Sequence, residues 1–235
     1  MTTPDKICLI SGVGPGTGAA LARRFAKGGY RIAMLARDAA RLSEYEREIN
    51  GAKAYPCDVT DAAAVARTVA AVRADMGEPD ILIHNAVRGT FGDFRKIDPA
   101  ELERNFQVNV MGLFHLARAV SDVMAARGSG AILVTGNTSA LRGKPSFAGF
   151  APTKAAQRIL AEAIARDLGP KGVHVAYLVI DAVIDVAWTR ERFKDKPNDF
   201  FIQPAAIAQE IWHVAHQDRC AWSFNVELRP YGESW

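Results

Sequence analysis

Four glycines fall within seven residues in the stretch Ile10-Ser11-Gly12-Val13-Gly14-Pro15-Gly16-Thr17-Gly18. The apolar run before them, residues 6–10, has β character, and residues 19–26 read as a helix. A strand, a tight glycine turn and a helix N-terminus make a corner suited to phosphate. Without Cβ atoms the backbone comes close to the anion, and first-turn N–H groups with the helix dipole favour negative charge. Gly14, Gly16 and Ala19 fit the G-x-G-x-x-G/A dinucleotide pattern. A strand-to-helix turn with no ligand uses the same residues, so the rest of the chain decides.

Strand and helix patterns alternate from end to end. Strands are expected at residues 6–10, 30–36, 53–57, 80–84, 131–135, 173–180 and 222–228. Helices are expected at 39–49, 62–76, 99–126, 150–168 and 204–216, with 191–199 polar and irregular. Such alternation predicts an α/β fold: one doubly wound parallel-sheet Rossmann domain over residues 1–235, with helices on both faces. In that architecture ligands bind beyond the carboxyl ends of the strands, where strand order reverses. The segments after the first five strands therefore hold the candidate site.

Charge and composition exclude other classes. The net charge of +3 carries no basic block, so nucleic acid is not expected as a partner. Cys8, Cys57 and Cys220 are odd in number, far apart and in apolar surroundings, which predicts reduced core thiols and no metal site. The start, Met1-Thr2-Thr3-Pro4-Asp5-Lys6, lacks a signal-peptide core, and no apolar run is long enough to span a bilayer. A soluble cytoplasmic protein without membrane contact is expected.

The end of the second strand speaks to the cofactor. A carboxylate about 20 residues past the glycine turn binds the ribose 2′-hydroxyl of NAD. This chain has Ala36-Arg37 there, and a guanidinium suits a 2′-phosphate by charge and fork geometry. NADP(H) is thus expected in preference to NAD(H). The alternative is a surface Arg37 beside an Asp38 helix cap. Asp58, after the third strand, has two compatible readings, acceptor from an adenine amino group and helix cap.

In their order these motifs resemble the short-chain dehydrogenase/reductase family along nearly the whole chain. Its T-G-x-x-x-G-x-G is matched by Ser11-Gly12 with Gly16 and Gly18, and Thr17 lies inside the motif. Its D-V corresponds to Asp58-Val59, and its N-N-A-G appears as His84-Asn85-Ala86-Val87. The asparagine of its long fourth helix resembles Asn109. The resemblance implies a cofactor site of Ser11, Gly12, Gly14, Gly16, Thr17, Gly18, Arg37, Asp58, Val59, Asn85, Ala86 and Lys154.

The catalytic motif departs from the family. Where members carry Y-x-x-x-K, this chain has Phe150-Ala151-Pro152-Thr153-Lys154. The family serine position reads Asn137, with Thr138 and Ser139 beside it, and Pro-Gly after the sixth strand reads Asp181-Ala182. The resemblance implies hydride transfer at a carbonyl or carbinol carbon. In it the tyrosine moves the proton, the serine binds the oxygen, the lysine tunes the tyrosine and holds the ribose, and the asparagine positions a relay water. Phe150 has no proton to give, and loss of a positioned acid costs on the order of 10²–10⁴ in rate. Asn137 can donate an amide hydrogen bond to an oxyanion but cannot release a proton. Lys154 keeps the ribose role, and Asn109 is either a relay residue or a structural one at a helix irregularity.

Three readings follow. One is an NADP(H)-dependent oxidoreductase acting on C=N, polarised C=C or carbonyl groups, with Asp181, Asp185, Tyr177 or His84 as alternative proton sources. Another is a silent homologue that binds NADP(H) as sensor, regulator or scaffold. The third is a structural protein without cofactor. Apolar faces on helices 99–126 and 150–168 suggest a homodimer or homotetramer. The segment 183–201, with Trp188, Arg190, Arg192 and Lys194, is where the family sets substrate specificity, and the substrate itself has no motif. The end of the chain, from Arg229 to Trp235, is expected to line the site or pack on a neighbour.

Overall fold

The computed structural model describes residues 6–232; Met1 to Asp5 and Glu233 to Trp235, with the expectations placed on them, lie outside the described residues. The elements in chain order begin with β1 (Lys6–Ser11), α1 (Thr17–Lys27), β2 (Tyr30–Ala36), α2 (Ala39–Glu48), β3 (Ala52–Pro56) and α3 (Ala62–Asp75). Next come β4 (Ile81–His84), α4 (Pro99–Phe106), a π-helical stretch (Gln107–Met111), α5 (Gly112–Arg127), β5 (Gly130–Asn137) and α6 (Ala151–Leu168). The chain closes with β6 (Val173–Ile180), β7 (Val183–Ile184), α7 (Ala187–Arg192), β8 (Phe201–Ile202), α8 (Pro204–Ala215) and β9 (Asn225–Leu228).

Seven strands form one sheet in the order β3-β2-β1-β4-β5-β6-β9, parallel at every pairing. Both faces are covered, which explains why the strands read as continuous apolar runs rather than alternating ones. Leu9, Leu35, Leu82, Ile132 and Val175 pack under α3, α5 and α6, through Val69, Leu116 and Ala161. Ile10, Ile32, Met34, Ile83 and Leu178 face the other way, onto Leu21 and Phe25 of α1, Leu42 of α2 and Ile211 of α8. Burying each such large side chain contributes about 1.5–3 kcal/mol. Strand order reverses between β1 and β4, so the crevice of the doubly wound sheet opens there, at the glycine turn.

Four sequence expectations are corrected. The helix expected over 99–126 is interrupted at Gln107–Met111, where the i→i+4 ladder widens to π geometry. The segment expected to be irregular, 191–199, is so beyond Arg192, but its first two residues close α7, and the flanking β7 and β8 pair in a separate two-stranded sheet. The last strand is shorter than expected, because Asp218 caps a 3₁₀ turn over Arg219–Ala221. That turn also leaves Cys220 exposed, whereas Cys8 and Cys57 are buried. Among the described residues no helix is long and apolar enough to cross a membrane.

Candidate functional site: a dinucleotide corner and a buried polar chain

The glycine turn is shaped by close approach. Gly12 has φ +80°, and a Cβ on it would lie 2.4 Å from the Ala86 nitrogen. Asn85 closes this contact: its Nδ2 donates to the Gly12 carbonyl at 2.9 Å, and its Oδ1 accepts from Thr135 Oγ1 at 3.0 Å. Gly18 packs on the same turn, where a Cβ would come within 2.4 Å of the Gly12 oxygen. At Gly14, by contrast, an added Cβ meets nothing within 4 Å. The packing therefore requires Gly12 and Gly18, and the G-x-G-x-x-G/A register through Gly14 is not what shapes the corner. Gly16 lies against Val186, at the entry to α7, a contact that no motif announced.

The corner fits an anionic ligand. Helix α1 starts with no side-chain cap. At its first position Thr17 Oγ1 is buried without a hydrogen-bond partner, a costly state for a hydroxyl unless something else bonds it. A pyrophosphate oxygen over this turn would supply that partner. Ser11 points elsewhere: it is fully buried, and its Oγ lies 3.0 Å from His84 Nδ1, tying β1 to β4.

Arg37 stands exposed just beyond β2, while its neighbour Asp38 caps α2 and pairs with Arg41. Asp58 is also exposed; its Oδ1 accepts from the Thr60 backbone and hydroxyl. The cap of α3 is Asp61, which accepts from Ala63 and Ala64 at 2.8 and 3.0 Å, so the helix-cap reading of Asp58 is corrected. Val59 is buried and packs against Gly112.

A second group of polar side chains lies deep between α5, α6 and the sheet. Asn109 sits within the π-helical stretch, which bears out the helix irregularity. Its side chain is fully engaged: Oδ1 accepts from the Arg88 amide at 3.0 Å, and Nδ2 donates to the Arg88 carbonyl at 2.8 Å and to Thr153 Oγ1 at 2.7 Å. It pins the loop after β4 onto α6. Lys154 is 1% exposed, and its amine donates to the Thr135 carbonyl at 3.1 Å and to Gln157 Oε1. Burial lowers the Lys154 pKa to about 7. Gln157 was not picked out from sequence. The signal was present, because residues 154, 157, 161 and 168 recur at helical spacing and all four are buried.

Phe150 precedes the first turn of α6 and is buried against Phe91, with ring centroids 5.1 Å apart. Phe91 meets Phe147 at the same centroid distance, so three phenylalanines wall this edge of the crevice. Asn137 ends β5; its Oδ1 accepts from the Ser139 amide at 3.1 Å, which leaves Nδ2 as the free donor.

The alternative proton sources fare unequally. Asp185 is held by Arg190 at 2.6 and 2.7 Å and by Gln203 at 2.6 Å, and these bonds lower its pKa to about 2. Burial raises the Tyr177 hydroxyl well above its usual range. Burial first, and the Lys154 charge second, lower the His84 pKa to about 3, so its imidazole is neutral at pH 7. None of the three is poised to protonate a substrate. Asp181 lies at the carboxyl end of β6, 3.8 Å from Arg142.

The model of the family described as short chain dehydrogenase matches residues 6–197. The chain belongs to the short-chain dehydrogenase family. It is 34% identical to the 2,3-dihydro-2,3-dihydroxybenzoate dehydrogenase of Bacillus subtilis over 69% of this chain, a match that spans 64% of that enzyme's length. Two solved structures overlay nearly end to end. A metagenomic short-chain oxidoreductase in complex with NADP is 26% identical with a TM-score of 0.85, over 98% of this chain and 99% of that one. A 3-ketoacyl-(acyl-carrier-protein) reductase from Brucella melitensis complexed with NADH is 26% identical with a TM-score of 0.87, over 97% of this chain and 98% of that one. Members of this family use a nicotinamide dinucleotide, and one neighbour holds NADP where the other holds NADH.

Proposed function

We propose that this chain is an NADP(H)-preferring oxidoreductase that works without a phenol at the substrate oxygen. The observation that carries the reading is Phe150, buried at the start of α6 four residues before Lys154, where the family motif has its tyrosine. When bound, the cofactor supplies or accepts the hydride. The turn around Gly12 and Gly18 seats its pyrophosphate, with Thr17 Oγ1 as a donor. Arg37 pairs with the 2′-phosphate, and the open carboxylate oxygen of Asp58 receives the adenine amino group. At the reacting end, Asn137 Nδ2 hydrogen-bonds the substrate heteroatom, and the Phe91, Phe147 and Phe150 rings exclude water.

With no phenol to release a proton, the substrates that fit are those needing none from the enzyme: an already protonated C=N group, or a polarised C=C bond protonated by solvent. Carbonyls are the weaker fit. A second reading, a cofactor-binding homologue without turnover, is favoured by the engaged or neutral states of Asp185, Tyr177 and His84. We further propose a homo-oligomer through α5 and α6, which leave Phe114 and Ile159 exposed.

The test is the Phe150→Tyr substitution, alone and with Asn137→Ser, on a panel of imines, activated alkenes and simple carbonyls. The expected outcome is turnover of imines or alkenes by the wild type, with carbonyl reduction rising in the double variant by on the order of 10²-fold. A wild type that turns over nothing, beside a double variant that reduces carbonyls, supports the silent reading. A double variant that binds NADPH and stays silent on every carbonyl overturns the assignment of Phe150.

A further inference from the structure

The Lys154 amine is buried, makes no ion pair among the described residues, and faces two neutral acceptors, the Thr135 carbonyl and the Gln157 amide. The orientation of that amide follows from its partners. An ammonium only donates and a backbone carbonyl only accepts. Gln157 must therefore turn Oε1 to Lys154 and Nε2 to the Asn109 carbonyl, which it reaches at 2.7 Å. The seat is built from three elements. The π-helical stretch carries the Asn109 carbonyl, and β5 carries Thr135. From β6 the Tyr177 hydroxyl comes within 3.4 Å of the same Oε1. Gly136 makes room for that tyrosine, since a Cβ there would lie 2.1 Å from its ring.

We propose that Gln157 is the positioning residue for Lys154: locked onto the Asn109 carbonyl, its amide fixes where the lysine amine points. The consequence for cofactor binding rests on the functional reading above, but the placement of the amine does not. An amide has one fixed donor end and one fixed acceptor end, so it orients the amine and passes no proton along the buried chain. The titratable groups facing the amine are His84 on β4 and Tyr177 on β6. His84, with its pKa lowered to about 3, and Tyr177, with its hydroxyl raised, both stay neutral between pH 4 and 10. The amine therefore responds to the group at position 157.

The experiment is NMR titration of protein labelled with ¹³C at the lysine side chains, with Lys154 assigned from Lys154→Arg. Gln157→Glu keeps the size of the side chain and places a carboxylate on the amine; its Lys154 midpoint is expected to rise by about one pH unit or more. Gln157→Leu removes the acceptor, and its midpoint is expected to fall. The glutamate variant decides the matter where the leucine variant does not fold. A Lys154 midpoint that is unchanged or lower in Gln157→Glu overturns the proposal. NADPH titration of the same samples separates the two ideas. Lost NADPH binding with an unmoved Lys154 defeats the positioning role alone. A shifted Lys154 in a protein that never binds NADPH defeats the cofactor reading alone.

Discussion

The β1–α1 corner and the β5–α6 junction face each other across the reversal in strand order, and they treat polar groups in opposite ways. At the corner, backbone geometry is tightly specified by Gly12 and Gly18, yet side-chain groups are left open: Thr17 Oγ1 has no partner and Arg37 stands exposed. At the junction, Asn109, Thr153, Lys154 and Gln157 bond to one another or to nearby carbonyls, and the group before them is a buried phenylalanine. One region leaves its polar side chains open; in the other these four bond among themselves or to backbone, while His84 Nε2 beside them is buried without a partner. On the function proposed above, binding and proton transfer are separable in this fold, because Phe150 brings no phenol to the junction.

The sharpest break in that contrast comes from Gly18→Ala. The new Cβ would press on backbone at 2.4 Å from the Gly12 oxygen and 2.7 Å from Val13 Cα, which a flexible side chain cannot relieve. Overpacking of this kind costs about 1–3 kcal/mol. The expected result is a lower Tm by calorimetry and, because the displaced turn no longer fits the pyrophosphate, NADPH affinity reduced by about 100-fold, which is about 2.8 kcal/mol of binding free energy. A variant that binds NADPH like the wild type would mean that the corner is only a turn.

Next in size is Arg37→Ala. Loss of a charge-assisted bond to a phosphate is worth about 1.5–3 kcal/mol, or roughly 10- to 100-fold in NADPH affinity, with NADH nearly unaffected. Calorimetric titration of both cofactors checks this, and equal losses for the two would remove Arg37 from the site.

The buried amine offers a test in pH. Lys154 has its folded pKa lowered from 10.5 to about 7, so between those values the unfolded chain holds more protons than the native one. Stability must then rise with pH across that window, by at most about 1.4 kcal/mol per pH unit. Urea unfolding at pH 7 and 9 should show this gain in the wild type and a flatter response in Lys154→Met. His84 works in the same direction lower down: its folded pKa of about 3 sits below the usual 6.5, and stability falls as acid is added between them. The smallest effect belongs to Gly14→Ala, where open space predicts a change within about 0.5 kcal/mol and little loss of binding.

These regions also differ in how legible they were. Local rules placed the seven strands of the main sheet, because apolar runs bounded by glycine and charged residues leave little choice for a sheet buried on both faces. They placed the corner too, since Gly12 and Gly18 carry a steric demand written in residue type. Residue type alone could not show that packing demands glycine at 12 and 18 but leaves open space at Gly14. The π-helical stretch at Gln107–Met111 was invisible to a 3.6-residue pattern, and only Asn109 hinted at it. Asp58 and Asp61 have the same residue type three positions apart, and only the backbone shows which of them meets the amides of α3. Gln157 was missed for a physical reason as well. Its role is set by the Asn109 carbonyl, a backbone atom 48 residues away with no signature in composition.

We propose that this chain keeps a nicotinamide dinucleotide corner with no phenol at the Phe150 position. Titration of the purified protein with NADPH and, separately, NADH, followed by nicotinamide fluorescence, tests it most directly. Saturable binding of both, tighter for NADPH, is the expected result. A folded sample that binds neither would contradict it, and would make the glycine turn a structural corner alone.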